Sequence, residues 1–492
     1  MSHGKSGGNR PGSGGHFKKP PAKLGSKPKG KSKTAGFDFS DQPKHHGPRN
    51  NTPEPGARLH QRLGEFTISR ISHDGRGLTE WQGKTLFVEG ALPGETVSAR
   101  FVMEHGRYAE AVVDEVITAA PERTAPLCAH YLLCGGCQLQ HMSAQTQLDL
   151  KQNAVFEQLQ RWAGLTPEQI LPPLASPEGA YRSCARMGIW YEKDGSVTLG
   201  FRRRNSKTLT PIAACYVLPE KLNQLLAPLQ QWLTHSHTAK AITHVELLDS
   251  QNGGALVLRH TKSPGERDLQ GLRELAQQHN CLIWLDDGSK TLQDLSGQPC
   301  DPRLSYYLPE FNLELGYHPQ DFMQVNPAVN AQMIAQAIQL LAPKKNQRIL
   351  DLFCGIGNFT LPLAQHCAEV FGVEAVDTMV ERGRENATRA GISNAKFMAA
   401  DLTKLSAYQL QQRCGKIDGI LLDPPRDGAK EIVAHIVELA AKRIVYVSCN
   451  PATLARDAKI LADNGYKLKT LGVMDMFPHT HHVETMALFV RG

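Results

Sequence analysis

Cys449 stands in "YVSCNPATLARD", directly behind an apolar run and in front of an Asn-Pro pair. Free cysteine is among the most buried residue types, so one reading is a small core side chain closing a strand. The other is a nucleophile held at the rim of a sheet, because a thiolate is a strong nucleophile wherever its surroundings favour ionisation. Carboxylates gather at comparable places. Glu374, Asp401 and Asp423 each follow an apolar run, and "ILDLFCGIGNFTLPLA" places Gly355 and Gly357 in a turn between a strand and a helix. Such glycines let the backbone pass close to a ligand, and an acid on the next strand can accept hydrogen bonds from ribose hydroxyls. Position 360 is Thr, so the full G-x-G-x-x-G pattern is broken and a dinucleotide is disfavoured.

A second cluster has metal-ligand spacing. "LCAHYLLCGGCQLQHM" sets Cys128, Cys134 and Cys137 in a C-x5-C-x2-C pattern, and Cys215 in "AACYVLPE" can supply a fourth thiolate. Zinc and a [4Fe-4S] cluster both accept four cysteines, so the donor set alone leaves the two open. Eleven cysteines in 492 residues do not make a disulfide scaffold.

The elements that must position these residues follow from the apolar pattern. From residue 321 onward, "QRILDLF", "EVFGVEA", "AKFMAAD", "IDGILLD" and "RIVYVSC" alternate with helical segments, as in a Rossmann-like α/β domain on a parallel sheet. The link between "YKLKTLGVMDMF" and "VETMALFV" is too short for a parallel crossover. The last strand should therefore run antiparallel, which brings Glu484 to the rim where the Cys449 strand ends, near Asp423 and the Gly355 turn. Residues 57–119 read as short alternating strands with Gly and Pro turns, a small antiparallel barrel. Residues 120–320 form a mixed α+β middle region that includes the basic run "GFRRRNSK", a nucleic-acid contact or a solvated strand end.

Charge is uneven. The chain carries +7 overall, while residues 1–56 carry 11 Lys or Arg against 3 Asp or Glu. That leader has few large apolar residues, so disorder and contact with a polyanion such as RNA are expected. No apolar run approaches the ~20 residues of a membrane span, and no signal-peptide core is present, so a cytoplasmic location is expected.

Two resemblances sharpen these readings. Gly75, Gly77 and "GALPGE" resemble the TRAM domain, an OB-like barrel of RNA-modifying enzymes. "DLFCGIGNFTLPLA", "DPPR", "VSCNPATLARD" and "FPHTHHVETMALF" resemble the RNA uracil-C5 methyltransferases, which are class I S-adenosylmethionine-dependent enzymes; the likeness spans residues 57–492. Barrel and cysteine cluster together look most like the branch acting on bacterial 23S rRNA. The resemblance implies S-adenosylmethionine bound near Gln324, Phe353, Asn358, Glu374, Asp401 and Asp423. It also implies a [4Fe-4S] cluster on Cys128, Cys134, Cys137 and Cys215, Cys449 as nucleophile, Glu484 as base, and a monomer acting on looped 23S rRNA with a flipped uridine. The chemistry fits: C5 of uracil becomes nucleophilic once a thiolate adds to C6, and a base must then remove the C5 proton.

Overall fold

The sheet that carries the glycine turn has eight strands. Their spatial order is Ala395–Ala399, Glu369–Glu374, Arg348–Leu352, Gly419–Leu422, Arg443–Ser448, Glu484–Arg491, Tyr466–Met474 and Gln169–Ile170. This is a computed structural model, and it describes residues 61–289 and 291–492; the basic leader lies outside them. The first five strands are parallel. Helices cover the sheet on both faces, so Ile349, Leu350, Leu352, Leu421, Leu422 and Val445 are all buried, and the strands read as continuous apolar runs. Strand order reverses on either side of Arg348–Leu352, and ligands of open α/β sheets bind beyond the carboxyl ends at such a reversal.

Glu484–Arg491 runs antiparallel to both neighbours, as the short link predicts, and it is inserted between Arg443–Ser448 and Tyr466–Met474. Link length sets direction but not the slot, which packing decides.

Two pieces of the 120–320 region attach to this sheet instead of the middle one. Helix Ala144–Ala163 starts at a Ser143 cap, packs against helix Pro451–Asp463 and strand Tyr466–Met474, and buries Val155 and Leu159 in the core of this sheet. Gln169–Ile170 adds a parallel strand beside Tyr466–Met474. A Gln-rich helix with a narrow apolar face carries no sequence mark of which core it joins, so a division at residue 320 separates it from its partner.

The middle region proper is a second eight-stranded sheet, ordered Leu209–Pro211, Val197–Arg202, Cys184–Tyr191, Ile242–Ser250, Gly253–His260, Leu282–Asp286, Leu292–Gln293 and Pro299–Cys300. Only Gly253–His260 and Leu282–Asp286 pair in parallel, joined by helix Glu266–Gln278. The hairpin Leu304–Leu308 and Leu313–Tyr317 then leads into the C-terminal sheet, and its Leu304, Leu315 and Tyr317 share a core with Val329, Ile349 and Leu421.

The N-terminal sheet has six strands: Arg62–Thr67, Thr96–Glu104, Tyr108–Thr118, Lys84–Glu89, Gly77–Trp81 and Arg70–Ile71 in spatial order. Its two edges are consecutive in the chain, separated by Ile68 and Ser69, so one bent stretch runs from edge to edge and the sheet curls around Ile68, Leu86, Val88 and Val97. Three register shifts between Thr96–Glu104 and Tyr108–Thr118 supply the bending. No described helix is long and apolar enough to cross a membrane.

Leu159→Ala should lower stability by about 2–5 kcal/mol, the usual cost of emptying a buried leucine site. Denaturant unfolding should register this loss in the transition of the C-terminal sheet.

Candidate active site

The carboxyl rim of the C-terminal sheet gathers most of the residues the sequence singles out. Ser448 pairs with Thr485 across the antiparallel ladder, so Cys449 and Glu484 are the next residues out on adjacent strands. The Thr485 hydroxyl donates to the Ser448 carbonyl at 3.0 Å and fixes this junction. The chain then stops extending, because Asn450 caps helix Pro451–Asp463 and proline takes the first helical position. The Asn450 amide also donates to the Arg426 carbonyl at 3.0 Å, tying the cysteine turn to the "DPPR" loop.

Cys449 is half-buried and Glu484 is buried. Burial, followed by the negative charges of Glu484 and Asp423, pushes the Cys449 thiol up to about 12, and Arg426 opposes this. Burial likewise raises Glu484 well above the usual carboxylate range, with Asp423 adding to the effect and Arg426 opposing it. Burial pushes Asp423 up to about 7. The Gln324 amide donates to Asp423 Oδ2 at 3.4 Å, so Gln324, Asp423, Glu484 and Cys449 form one group.

The glycine turn lies alongside. Glu374 accepts hydrogen bonds from the backbone N–H of Gly355, Ala375 and Val376 at 3.2, 2.7 and 3.0 Å. Gly355 and Gly357 have φ of +54° and +97°, and Phe353 beside them has φ of +63°, a strained value for a bulky residue. Asn358 is held by Tyr306, whose hydroxyl donates at 2.8 Å, and by reciprocal amide bonds with Asn330 at 3.0 and 2.9 Å. Asp401 stands apart: its carboxylate is held down at about 2 by Lys404 and Thr403, and it faces outward.

Four further residues belong to this rim. Arg426 is the cation facing Cys449 and Glu484, and His482 contacts its guanidinium at 3.3 Å. Tyr306 and Asn330 hold Asn358. Asp351 is fully buried beneath the turn; Thr360 donates to its Oδ2 at 2.5 Å, and its Oδ1 has no hydrogen-bond partner. Burial pushes Asp351 up to about 8, with the charges of Asp423 and Glu374 adding to it. Its position in "ILDLF", a lone acid inside a buried strand, is the sequence sign of such a group. An orphaned buried acceptor, two glycines at positive φ and a carboxylate at the turn suit a cationic, ribose-bearing ligand such as S-adenosylmethionine.

The four cysteines come together elsewhere, between the N-terminal and middle sheets. Burial raises the Cys137 thiol to about 12, with Cys215, Cys134 and Cys128 contributing in that order. Cys215 is raised to about 11 by burial, with contributions from Cys134 and Cys128. Among the described residues no three metal-ligating side chains converge on a single-ion site. A four-iron cluster binds each thiolate to a different iron and so asks for a wider set than one zinc does. The Gly135 N–H donates to the Arg202 carbonyl at 2.9 Å, laying the cysteine loop on the "RRR" strand end. Arg204 bonds the Cys137 carbonyl and Glu89 and lies over the Tyr131 ring at 5.6 Å. Of the three arginines, Arg204 is therefore a structural staple, while Arg202 and Arg203 are exposed.

Buried acids with raised pKa values stabilise the fold at low pH and lose that contribution as pH rises through the folded value. Buried histidines such as His141 and His482, which burial keeps neutral, act in the opposite sense below about pH 6.5. Thermal stability of the ligand-free protein should thus fall from pH 7 to pH 9, and Asp351→Asn should flatten the fall. A melting series across that range tests this.

Comparisons with known proteins identify the family. A family model described as tRNA (Uracil-5-)-methyltransferase matches residues 143–491, starting where helix Ala144–Ala163 begins. A protein of Alkalilimnicola ehrlichii named 23S rRNA (uracil(1939)-C(5))-methyltransferase RlmD is 43% identical over 88% of this chain and 98% of its own. A protein of the same name from Hahella chejuensis is 45% identical over 86% of this chain and 96% of its own. The fold is shared with the Pyrococcus abyssi tRNA (uracil-54, C5)-methyltransferase solved with S-adenosyl-L-homocysteine, at a TM-score of 0.66 and 23% identity, covering 87% of this chain and all of that one. The chain belongs to the tRNA (uracil-5-)-methyltransferase family, S-adenosylmethionine-dependent enzymes that methylate C5 of uracil in RNA.

Proposed function

We infer that this protein methylates C5 of a uridine in 23S rRNA, with Cys449 as nucleophile and Glu484 as base. The observation that carries the reading is the placement of the thiol and a buried carboxyl on adjacent strand ends, joined by the Ser448–Thr485 pair. The relatives named for 23S rRNA, matched nearly end to end, supply the substrate class.

The Cys449 thiol gives its proton to solvent and its sulfur adds to C6 of the flipped base; the C5–C6 π electrons move onto C5 and O4. S-adenosylmethionine supplies the methyl group that C5 takes up. Ionised Glu484 then removes the C5 proton, the C5–C6 double bond reforms, and the bond from C6 to sulfur breaks. Because burial, and after it two neighbouring acids, raise the thiol, attack requires Arg426 to offset the acids' charge. Arg426 also faces the region where negative charge builds on the uracil ring. Gln324, Phe353, Asn358, Glu374, Asp401 and Asp423 would surround the methyl donor. Asp401, turned toward Lys404, would have to exchange that partner to take part.

The curled N-terminal sheet is read as a TRAM domain that grips RNA, and the four cysteines as the holders of a [4Fe-4S] cluster. The division into residues 1–56, 57–119, 120–320 and 321–492 then stands with helix Ala144–Ala163 and strand Gln169–Ile170 transferred to the catalytic part. A flipped base is cheapest to present from looped RNA, and the protein is read as a cytoplasmic monomer.

Purified protein with labelled S-adenosylmethionine and unmodified 23S rRNA should transfer methyl groups to a uridine. Transfer to transfer RNA alone would reassign the substrate, and no transfer to any uridine would sink the reading. RNA bearing 5-fluorouridine at the target should trap a covalent adduct that Cys449→Ala abolishes. The attachment rate should rise from pH 6 to pH 9 without a plateau, because the thiol ionises far above that window. Glu484→Gln should still attach to RNA and lose turnover by about 100-fold or more.

A further inference from the structure

The loop of residues 475–483 leads directly into Glu484, and one residue in it is gripped from several directions. His479 is 2% exposed and has φ of +67°, a left-handed conformation that few non-glycine residues adopt. Its carbonyl accepts two backbone hydrogen bonds, from Gln138 N–H at 2.8 Å and Leu139 N–H at 2.9 Å. Its own N–H donates to Gln147 Oε1 at 2.8 Å, and its ring Nδ1 lies 3.3 Å from Gln147 Nε2. The ring also packs beside Tyr216 at 5.8 Å and Glu178 at 3.6 Å.

The origin of these contacts is the informative part. Gln138 immediately follows Cys137, and Tyr216 immediately follows Cys215. Both chain segments of the four-cysteine knot therefore end on His479. Gln147 comes from helix Ala144–Ala163, and Lys151 on the same helix donates to Asp475 Oδ1 at 2.6 Å and to the Phe477 carbonyl at 3.1 Å. The Tyr181 hydroxyl donates to the Pro478 carbonyl at 3.0 Å. A loop this heavily tethered, bent at a strained residue, holds one geometry while the residues around it persist.

The geometry points to His479 as a positioning residue: the cysteine loops and Gln147 hold it, and it sets where the Glu484 carboxylate stands. This rests on the reading of Glu484 as the base. A base acts after the thiol has attached, so a displaced base slows release of the methylated RNA and spares attachment. A residue needed only for folding would impair both steps alike.

The test uses full-length protein carrying Gln147→Met or, separately, His479→Gly. Glycine takes the positive φ without strain, so the backbone can keep its path while the ring contacts are lost. Attachment is timed with 5-fluorouridine RNA, release with ordinary uridine RNA, and loop order by hydrogen exchange of residues 475–483. Attachment should stay within about twofold of the unaltered protein, while release slows by about tenfold or more and covalent RNA–protein complex accumulates. Exchange should quicken in the loop and not in Arg443–Ser448. Unchanged release in both variants, a parallel fall of attachment and release, or unfolding of both would overturn the assignment. Failure of the unaltered protein to attach to RNA would instead refute the catalytic reading and this inference with it.

Discussion

One antiparallel pairing governs the site. Five parallel strands can bring glycines and acids to a common rim, but each of those side chains stands at the end of its own strand, with a helix between it and the next. The pairing of Ser448 with Thr485 is different, because it joins an outgoing strand to an incoming one. The backbones of the residue leaving the first and the residue entering the second must then be neighbours, and what is left to the loops is the stance of their side chains. A thiol and a carboxyl placed this way are fixed by ladder hydrogen bonds of the backbone, the least adaptable part of a fold. Helix Pro451–Asp463, the "DPPR" loop and the 475–483 loop serve that pair by ending one strand, bracing the turn and admitting the other.

The pair comes at an electrostatic cost. Asp351, Asp423 and Glu484 are acids in places that disfavour charge; Asp423 makes Asp351 and Glu484 harder to ionise, and Glu484 and Asp423 do the same to Cys449. A protein selected for stability alone would not cluster them, since buried unpaired acids favour the unfolded chain at neutral pH. The arrangement makes sense for a ligand that arrives with positive charge and for a carboxylate that, once ionised, binds a proton strongly. Arg426 is the counterweight, placed at the open edge where it reaches both the thiol and the base.

The sequence told the rim and hid its mounting. "RIVYVSC" and "VETMALFV" are apolar runs with chemistry at their ends, and a short link forces their opposite directions. Gln324 and Asp423 proved to be hydrogen-bonded across 99 residues of chain. Asp401 shows the limit of such reading: a carboxylate at a strand end can be taken by its own neighbours, here Thr403 and Lys404 two and three positions on. Arg426 lay inside a quoted motif and Asp351 inside a quoted strand, but their roles depend on what surrounds them in space. The Gln-rich helix was the least legible element. Its partners, helix Pro451–Asp463 and strand Tyr466–Met474, are remote in sequence, and polar residues cover all but a thin apolar stripe. The run of three arginines divided for the same reason, because only the neighbours Glu89 and Cys137 show that Arg204 faces inward.

The ion pair of Lys151 with Asp475 spans 324 residues of chain. Contacts that distant form late, because the intervening segment must be ordered before its ends can meet. Strand Arg443–Ser448 can find both its neighbours, parallel Gly419–Leu422 and antiparallel Glu484–Arg491, within the C-terminal third of the chain, so the ladder forms early. The loop that leads into Glu484 acquires its tethers to Lys151 only when helix Ala144–Ala163 docks. Assembly thus has a built-in sequence, in which the sheet that carries the rim forms before the loop at its mouth is fastened.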